Sequence, residues 1–197
     1  MKKSDFVIDL KNFYPGLIKK GCNIGPLITA LNSIPGAPLT KLTVADFLQP
    51  GVFEQGVYLF EEGSKNKMKV TNPPSITLTD YWYIGKCSSL SFQSRLGGHL
   101  DTRVGGYMNH LMKYTAWVLS NQDYKSFTAL PGTQKQKYYN NAASVLQDLR
   151  LKFISFDGVN TSNNIIDDLE KCLKNTLHPY LNDPQRGVFK ASTLTII

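Results

Sequence analysis

Cysteine is scarce in this chain. Three residues, Cys22, Cys87 and Cys172, stand far apart in 197 positions and form no CxxC or Cys/His pairing. A disulfide framework and a zinc site of recognisable spacing are thereby excluded, and free thiols are the simpler reading. Long apolar runs are also missing. No stretch approaches the roughly 20 residues of a membrane-spanning helix, and Met1-Lys-Lys-Ser-Asp leads into no signal-peptide core, so a cytoplasmic protein without a membrane partner is expected. Acidic residues are outnumbered, 15 Asp and Glu against 22 Lys and Arg, for a net charge of +7. Such a balance suits a polyanionic partner without requiring one. Internal repeats and low-complexity tracts are absent, which argues against a solenoid.

What the chain does contain is ordinary globular material, 42% hydrophobic and 19% charged, long enough to bury one sizeable core. Residues 1–55 mix apolar segments with turn signals. Ile24 to Ile34 predicts a short helix before Pro35-Gly36, and Thr43 to Leu48 another stopped by Pro50-Gly51. From Gly56 the pattern tightens. Gly56 to Phe60 and Tyr81 to Lys86 alternate as strands do, on either side of a polar excursion from Glu61 to Asp80, and an antiparallel hairpin is the simplest pairing. Helices follow at 90–103, 107–119 and 135–149, with a loop over 123–136. Leu151 to Phe156 predicts a third strand, and a cap at Thr161 or Ser162 a last helix that runs to His178 before Pro179.

Polar groups on these elements are the candidates for chemistry. Arg95 and His99, four apart, share one side of a helix, while Leu96 and Leu100 one step round can face a core. A lone Arg or His on a helix is more often structural, but this pair could neutralise a phosphate and carry a proton. Gly97-Gly98 in the same helix marks either a close approach to the backbone or an early helix end. Tyr58 and Tyr83 on neighbouring strands suit core packing or a proton-handling pair. Lys86 in the following turn could meet a phosphate or merely be solvated. Glu170 borders the apolar stripe of Ile166, Leu169, Leu173 and Leu177, with Asp167 nearer the solvent side. Periodicity alone favours a surface Glu170 paired with Lys174 over a ligand for a hard divalent cation. Asn182 either ties the chain end to the site or makes an ordinary turn before Asp-Pro.

Each signal is weak, but their order is specific. Gly56-Val-Tyr58, Tyr83-Ile-Gly85-Lys86, a helix with Arg95-x-x-x-His99, a strand, then Leu169-Glu170 and Leu177-His-Pro-Tyr-Leu-Asn182 together resemble the GIY-YIG nuclease family over residues 56–182. The longer segments between motifs are most similar to its type II restriction endonuclease branch. The resemblance implies an α/β (α+β) protein with the GIY-YIG fold, a three-stranded antiparallel sheet flanked by helices. Residues 1–55 would be an N-terminal extension packed on the core, 56–182 the nuclease domain and 183–197 a C-terminal tail. It further implies hydrolysis of a DNA phosphodiester with Mg²⁺ (or Mn²⁺) held by Glu170. Tyr58 would activate or position the attacking water, Tyr83 support it, and Arg95 stabilise charge on the phosphoryl oxygens, with Lys86, His99 and Asn182 completing the set. A tyrosine with an ordinary pKa of about 10 needs a nearby cation to serve as a base. The implied partners are double-stranded DNA and a second copy of the chain, because cutting both strands of a palindrome needs two sites. A homing, mobile-element or repair nickase, or a non-catalytic DNA-binding protein on the same scaffold, are the alternatives. Glu61 to Asp80 and Gly105 to Gln136 are the candidate segments for base contacts.

Overall fold

The computed structural model describes residues 3–13, 23–41, 55–88, 92–106, 109–157, 159, 163–182 and 193–197. Among them run seven strands: β1 (Val7–Asp9), β2 (Ala37–Pro38), β3 (Gly56–Glu61), β4 (Met68–Val70), β5 (Tyr81–Cys87), β6 (Arg150–Ser155) and β7 (Leu194–Ile196). The helices are α1 (Gly25–Ser33), α2 (Phe92–His99), α3 (His110–Ser120), α4 (Tyr124–Ala129), α5 (Gly132–Leu146) and α6 (Asn163–Leu177). The protein is thus a mixed α/β structure. No helix among the described residues is long and apolar enough to cross a membrane.

The expected three-stranded antiparallel sheet is corrected to a mixed sheet of five strands. At its centre β3 pairs antiparallel with β5 on one side and with β6 on the other. The outer edge of β6 is then taken by β1, in parallel, and by β2, antiparallel. Part of the N-terminal segment therefore belongs to the sheet itself. Strands of two or three residues carry too little alternation to be read as strands from sequence. β5 is the opposite edge.

Cross-strand neighbours share a face. Tyr58 and Phe60 lie with Gly85, Tyr83, Phe153 and Leu151 on one side, while Val57 and Leu59 lie with Lys86, Ile84, Ile154 and Lys152 on the other. Both sides are covered, which is why β3 is buried at every position but its last. Phe92 and Leu96 of α2, with apolar side chains of α3, α4 and α5, close the first side. Leu27 and Leu31 of α1 and the stripe Ile166, Leu169, Leu173 and Leu177 of α6 close the second.

Several expectations are revised. Residues 123–136 are mostly helical: the Asp123 carboxylate accepts the Ser126 N–H at 2.9 Å and so starts α4, and α5 begins directly after Pro131. The 61–80 excursion contains β4, which pairs antiparallel with β7 from the 183–197 segment. Its turn is held by Asp148, whose carboxylate accepts the backbone N–H groups of Ser64, Lys65 and Asn66. Leu96 is buried as expected, but Leu100 is 37% exposed while His99 is 2% exposed, so at the helix end the histidine and not the leucine faces the core. A Cβ on Gly97 would meet nothing, and α2 stops at His99, so that glycine marks an early helix end rather than a close approach. Cys172 is disulfide-bonded and Cys87 is a buried free thiol, which corrects the expectation of three free thiols. The helix expected at Thr43–Leu48 and the cap at Thr161 or Ser162 lie outside the described residues.

Candidate active site

The glycines of the two tripeptides are seats for aromatic rings. Gly85 is paired with Tyr58 across β3 and β5, and a Cβ on Gly85 would collide with the Tyr58 ring and hydroxyl. A Cβ on Gly56 would strike the Phe153 ring and the Ile154 carbonyl. Only a residue without a side chain lets a ring lie down on the neighbouring strand in this way. Seated there, Tyr58 stacks beside Tyr83 with ring centroids 6.4 Å apart and meets Phe92 of α2 at 5.6 Å.

His99, the last residue of α2, enters the same cluster. Its Nε2 lies 2.6 Å from the Tyr58 hydroxyl oxygen, and its ring packs edge-on against Tyr83 at 4.9 Å. The other ring nitrogen, Nδ1, is buried with no hydrogen-bond partner among the described residues. Burial governs the electrostatics of all three groups. It pushes Tyr58 well above the ordinary tyrosine value, helped by the neighbouring Tyr83, while the Arg95 guanidinium works the other way. Tyr83 is raised by burial and then by the Glu170 carboxylate, again with Arg95 opposing. His99 is pushed down to about 3 by burial, with His110 and Arg95 adding to it. At neutral pH both tyrosines are therefore protonated and the imidazole is uncharged.

The other candidates gather behind the same strand. Lys86 lies on the opposite face from Tyr83, beside α6, where its Nζ is 2.6 Å from Asp167 and 3.6 Å from Glu170. Burial works against the Lys86 ammonium, but the two carboxylates outweigh it and hold its pKa above the usual lysine value. Glu170 also meets Lys174 at 2.8 Å, so the pairing expected of a plain surface glutamate is present too. The Glu170 carboxylate raises Tyr83 and, as the smallest contribution, Tyr58, and β5, which separates the two faces, is the sheet's edge. The site straddles that edge.

Asn182 does something different. Its Oδ1 accepts the Ile84 N–H at 2.6 Å and its Nδ2 donates to the Ile84 carbonyl. The Leu181 N–H reaches the Trp82 carbonyl at 2.8 Å. The segment after α6 thus covers the outward backbone groups of the β5 edge between Tyr83 and Gly85, leaving Asn182 as a clamp on the strand.

No protein-family model, curated protein or solved structure matches this chain. What the site can do rests on its own chemistry. Among the described residues no group of three or more His, Cys, Asp and Glu side chains could hold a metal ion. A Mg²⁺ ion does not need one, since it keeps several waters and takes one or two carboxylates plus substrate phosphate oxygens. Glu170, with Asp167 on the same Lys86, is such a donor set. Helix periodicity puts Asp167 nearer the solvent side, and its side chain is 38% exposed against 12% for Glu170; the i, i+3 spacing still brings both carboxylates to Lys86. His110, which acts on His99, carried no sequence signal at all.

Proposed function

We propose that this chain is a divalent-metal-dependent DNA endonuclease of the GIY-YIG type, a sequence-specific restriction enzyme working as a homodimer on double-stranded DNA. One observation supports the reading above the others: Tyr58, Tyr83, Lys86, Arg95, His99 and Glu170, drawn from two strands and two helices, interact around one edge of the sheet. The donor set fits Mg²⁺ or Mn²⁺ held by Glu170, which when bound would neutralise charge on the phosphoryl oxygens.

The residues divide the rest of the work. The hydrogen bond between the Tyr58 hydroxyl and His99 Nε2 holds the hydroxyl in place, its direction following the imidazole tautomer. Burial keeps Tyr58 protonated at rest, so it positions the attacking water by hydrogen bonding, and loss of its proton waits on added cationic charge such as Arg95 already provides. Arg95 offers its guanidinium to the charge developing on phosphorus oxygens, a role worth more in a dry site than in water. Lys86 draws the Glu170 and Asp167 carboxylates together by pairing with both, and Asn182 fixes the strand that carries Tyr83.

Incubating the purified protein with plasmid DNA and Mg²⁺ tests this directly. Discrete fragments that map to one short sequence, lost in EDTA and in Glu170→Ala, are the expected result. Nicked circles indicate the nickase alternative. Retarded but intact DNA rejects catalysis and leaves a binding protein.

A further inference from the structure

The helical insertion between α2 and β6 builds a second feature next to the catalytic cluster. A cleft of about 270 Å³ opens between the loop before α3, the start of α3, the end of α4 and the side of α5. Among the described residues its lining includes His110, Lys113 and Lys135 and no Asp or Glu. Asp101, which lies against Gly106 in the loop, is already bound by Arg103 at 2.8 Å.

The walls are built rather than incidental. Gly105 takes a left-handed φ of +83° to turn the loop. The loop is pinned from two directions, Asn109 Nδ2 donating to the Arg103 carbonyl at 3.1 Å and Gln136 Nε2 donating to the Thr102 carbonyl at 2.8 Å. Asn109 and Tyr139 form a floor that is 4% and 3% exposed. Lys135 is ordered across the rim by donating to the Thr128 carbonyl at 2.7 Å. Asn109 stands at the N-cap of α3 without capping it, and the first turn holds no acidic residue, so the positive end of an 11-residue helix adds to the three side chains. Burial depresses His110, and Lys113 and then Arg95 depress it further, so at neutral pH its imidazole serves as an uncharged N–H donor beside the two lysines.

The geometry points to a phosphate-binding cleft in which His110, Lys113 and Lys135 hold the phosphodiester next to the one cut at the Tyr58–Glu170 edge. The nuclease reading supplies the source of that phosphate; the cleft itself follows from its charge and shape. His110 lines the cleft and begins α3, which packs on α2, the helix that carries Arg95 and His99, so an anion seated here lies beside the site's own helix.

The test is the salt dependence of binding to a short labelled duplex in EDTA, followed by fluorescence anisotropy, for the native protein and for Lys113→Gln/Lys135→Gln. A parallel titration of inorganic pyrophosphate by calorimetry separates a free phosphate ligand from a nucleic-acid backbone. Losing the grip on that one phosphate lowers the slope of log K against log salt by about 0.9. Lys113→Arg/Lys135→Arg restores it, which distinguishes lost charge from a damaged fold. Native-like slopes in the glutamine variant overturn the inference even if the plasmid is cut. Should the native protein neither bind nor cut DNA, the nuclease reading fails by itself. Pyrophosphate binding that the glutamine variant loses then upholds the cleft as a site for a free phosphate ligand, and absence of pyrophosphate binding overturns it.

Discussion

Replacing His99 by glutamine should flatten the acid limb of the stability curve. In the folded protein this imidazole is 2% exposed and its pKa is pushed down to about 3, against about 6.5 in an unfolded chain. Above pH 6.5 both states leave it neutral and it contributes no pH dependence. As the pH falls below that value the unfolded chain takes up the proton and the folded one does not, so stability is lost progressively until the pH nears 3. At pH 5 the unfolded state gains about 1.5 pH units of protonation free energy at roughly 1.4 kcal/mol each, a loss of about 2 kcal/mol relative to pH 8. Urea unfolding of both proteins at pH 8 and pH 5 measures this. The native protein should lose about 2 kcal/mol more than His99→Gln across that interval. His110 and His178 remain in both proteins and drop out of the comparison. A constant offset is expected on top, because Tyr58 loses the partner it has at 2.6 Å, and an unsatisfied buried hydroxyl costs about 1–3 kcal/mol. Equal losses in the two proteins would refute the placement of a neutral His99 inside the aromatic cluster.

Gly85→Ala drives a methyl group into the Tyr58 ring between paired strands, so a loss of about 1–3 kcal/mol in thermal unfolding and a collapse of plasmid cleavage are expected together. Glu170→Gln separates the two effects. It removes partly exposed ion pairs with Lys86 and Lys174, so the melting curve shifts by less than about 1 kcal/mol while cleavage is abolished. Asn182→Ala uncovers the Ile84 N–H and C=O at the sheet edge and should cost about 1–3 kcal/mol in urea unfolding. Asn182→Asp, which keeps the acceptor and loses the donor, should fall between the two.

The parts of this protein legible in its sequence are those long enough to show a period. β3, β5, β6, α3 and α6 stand within a few residues of where alternation and 3.6-residue spacing put them. β1, β2, β4 and β7 have two or three residues each, and their existence depends on partners far along the chain. The spacing of Arg95 and His99 told that they share a helix side but not which way that side faces. The answer came from tertiary packing: His99 turns into the aromatic cluster with Nε2 on the Tyr58 hydroxyl, while Leu100 lies at the surface.

Strand parity carries the argument one step further. Side chains alternate along β5, so Lys86 must lie on the face opposite Tyr83 and Gly85. A carboxylate meeting Lys86 therefore has to come from a helix on that second face, while the groups meeting Tyr83 come from the first. Groups divided in this way can act together only where the sheet ends, because an interior strand would be flanked by neighbours on both sides. That requires β5 to be an edge, and an edge exposes unpaired N–H and C=O groups. The segment after α6 meets that requirement at two positions: the Leu181 N–H reaches the Trp82 carbonyl and Asn182 takes both backbone groups of Ile84, which closes that part of the edge against stray pairing. Asn182 and Gly85, the residue directly before Lys86, bring no charge to the site: Asn182 covers the strand and Gly85 receives the Tyr58 ring, two backbone tasks that hold the polar side chains of the site in place.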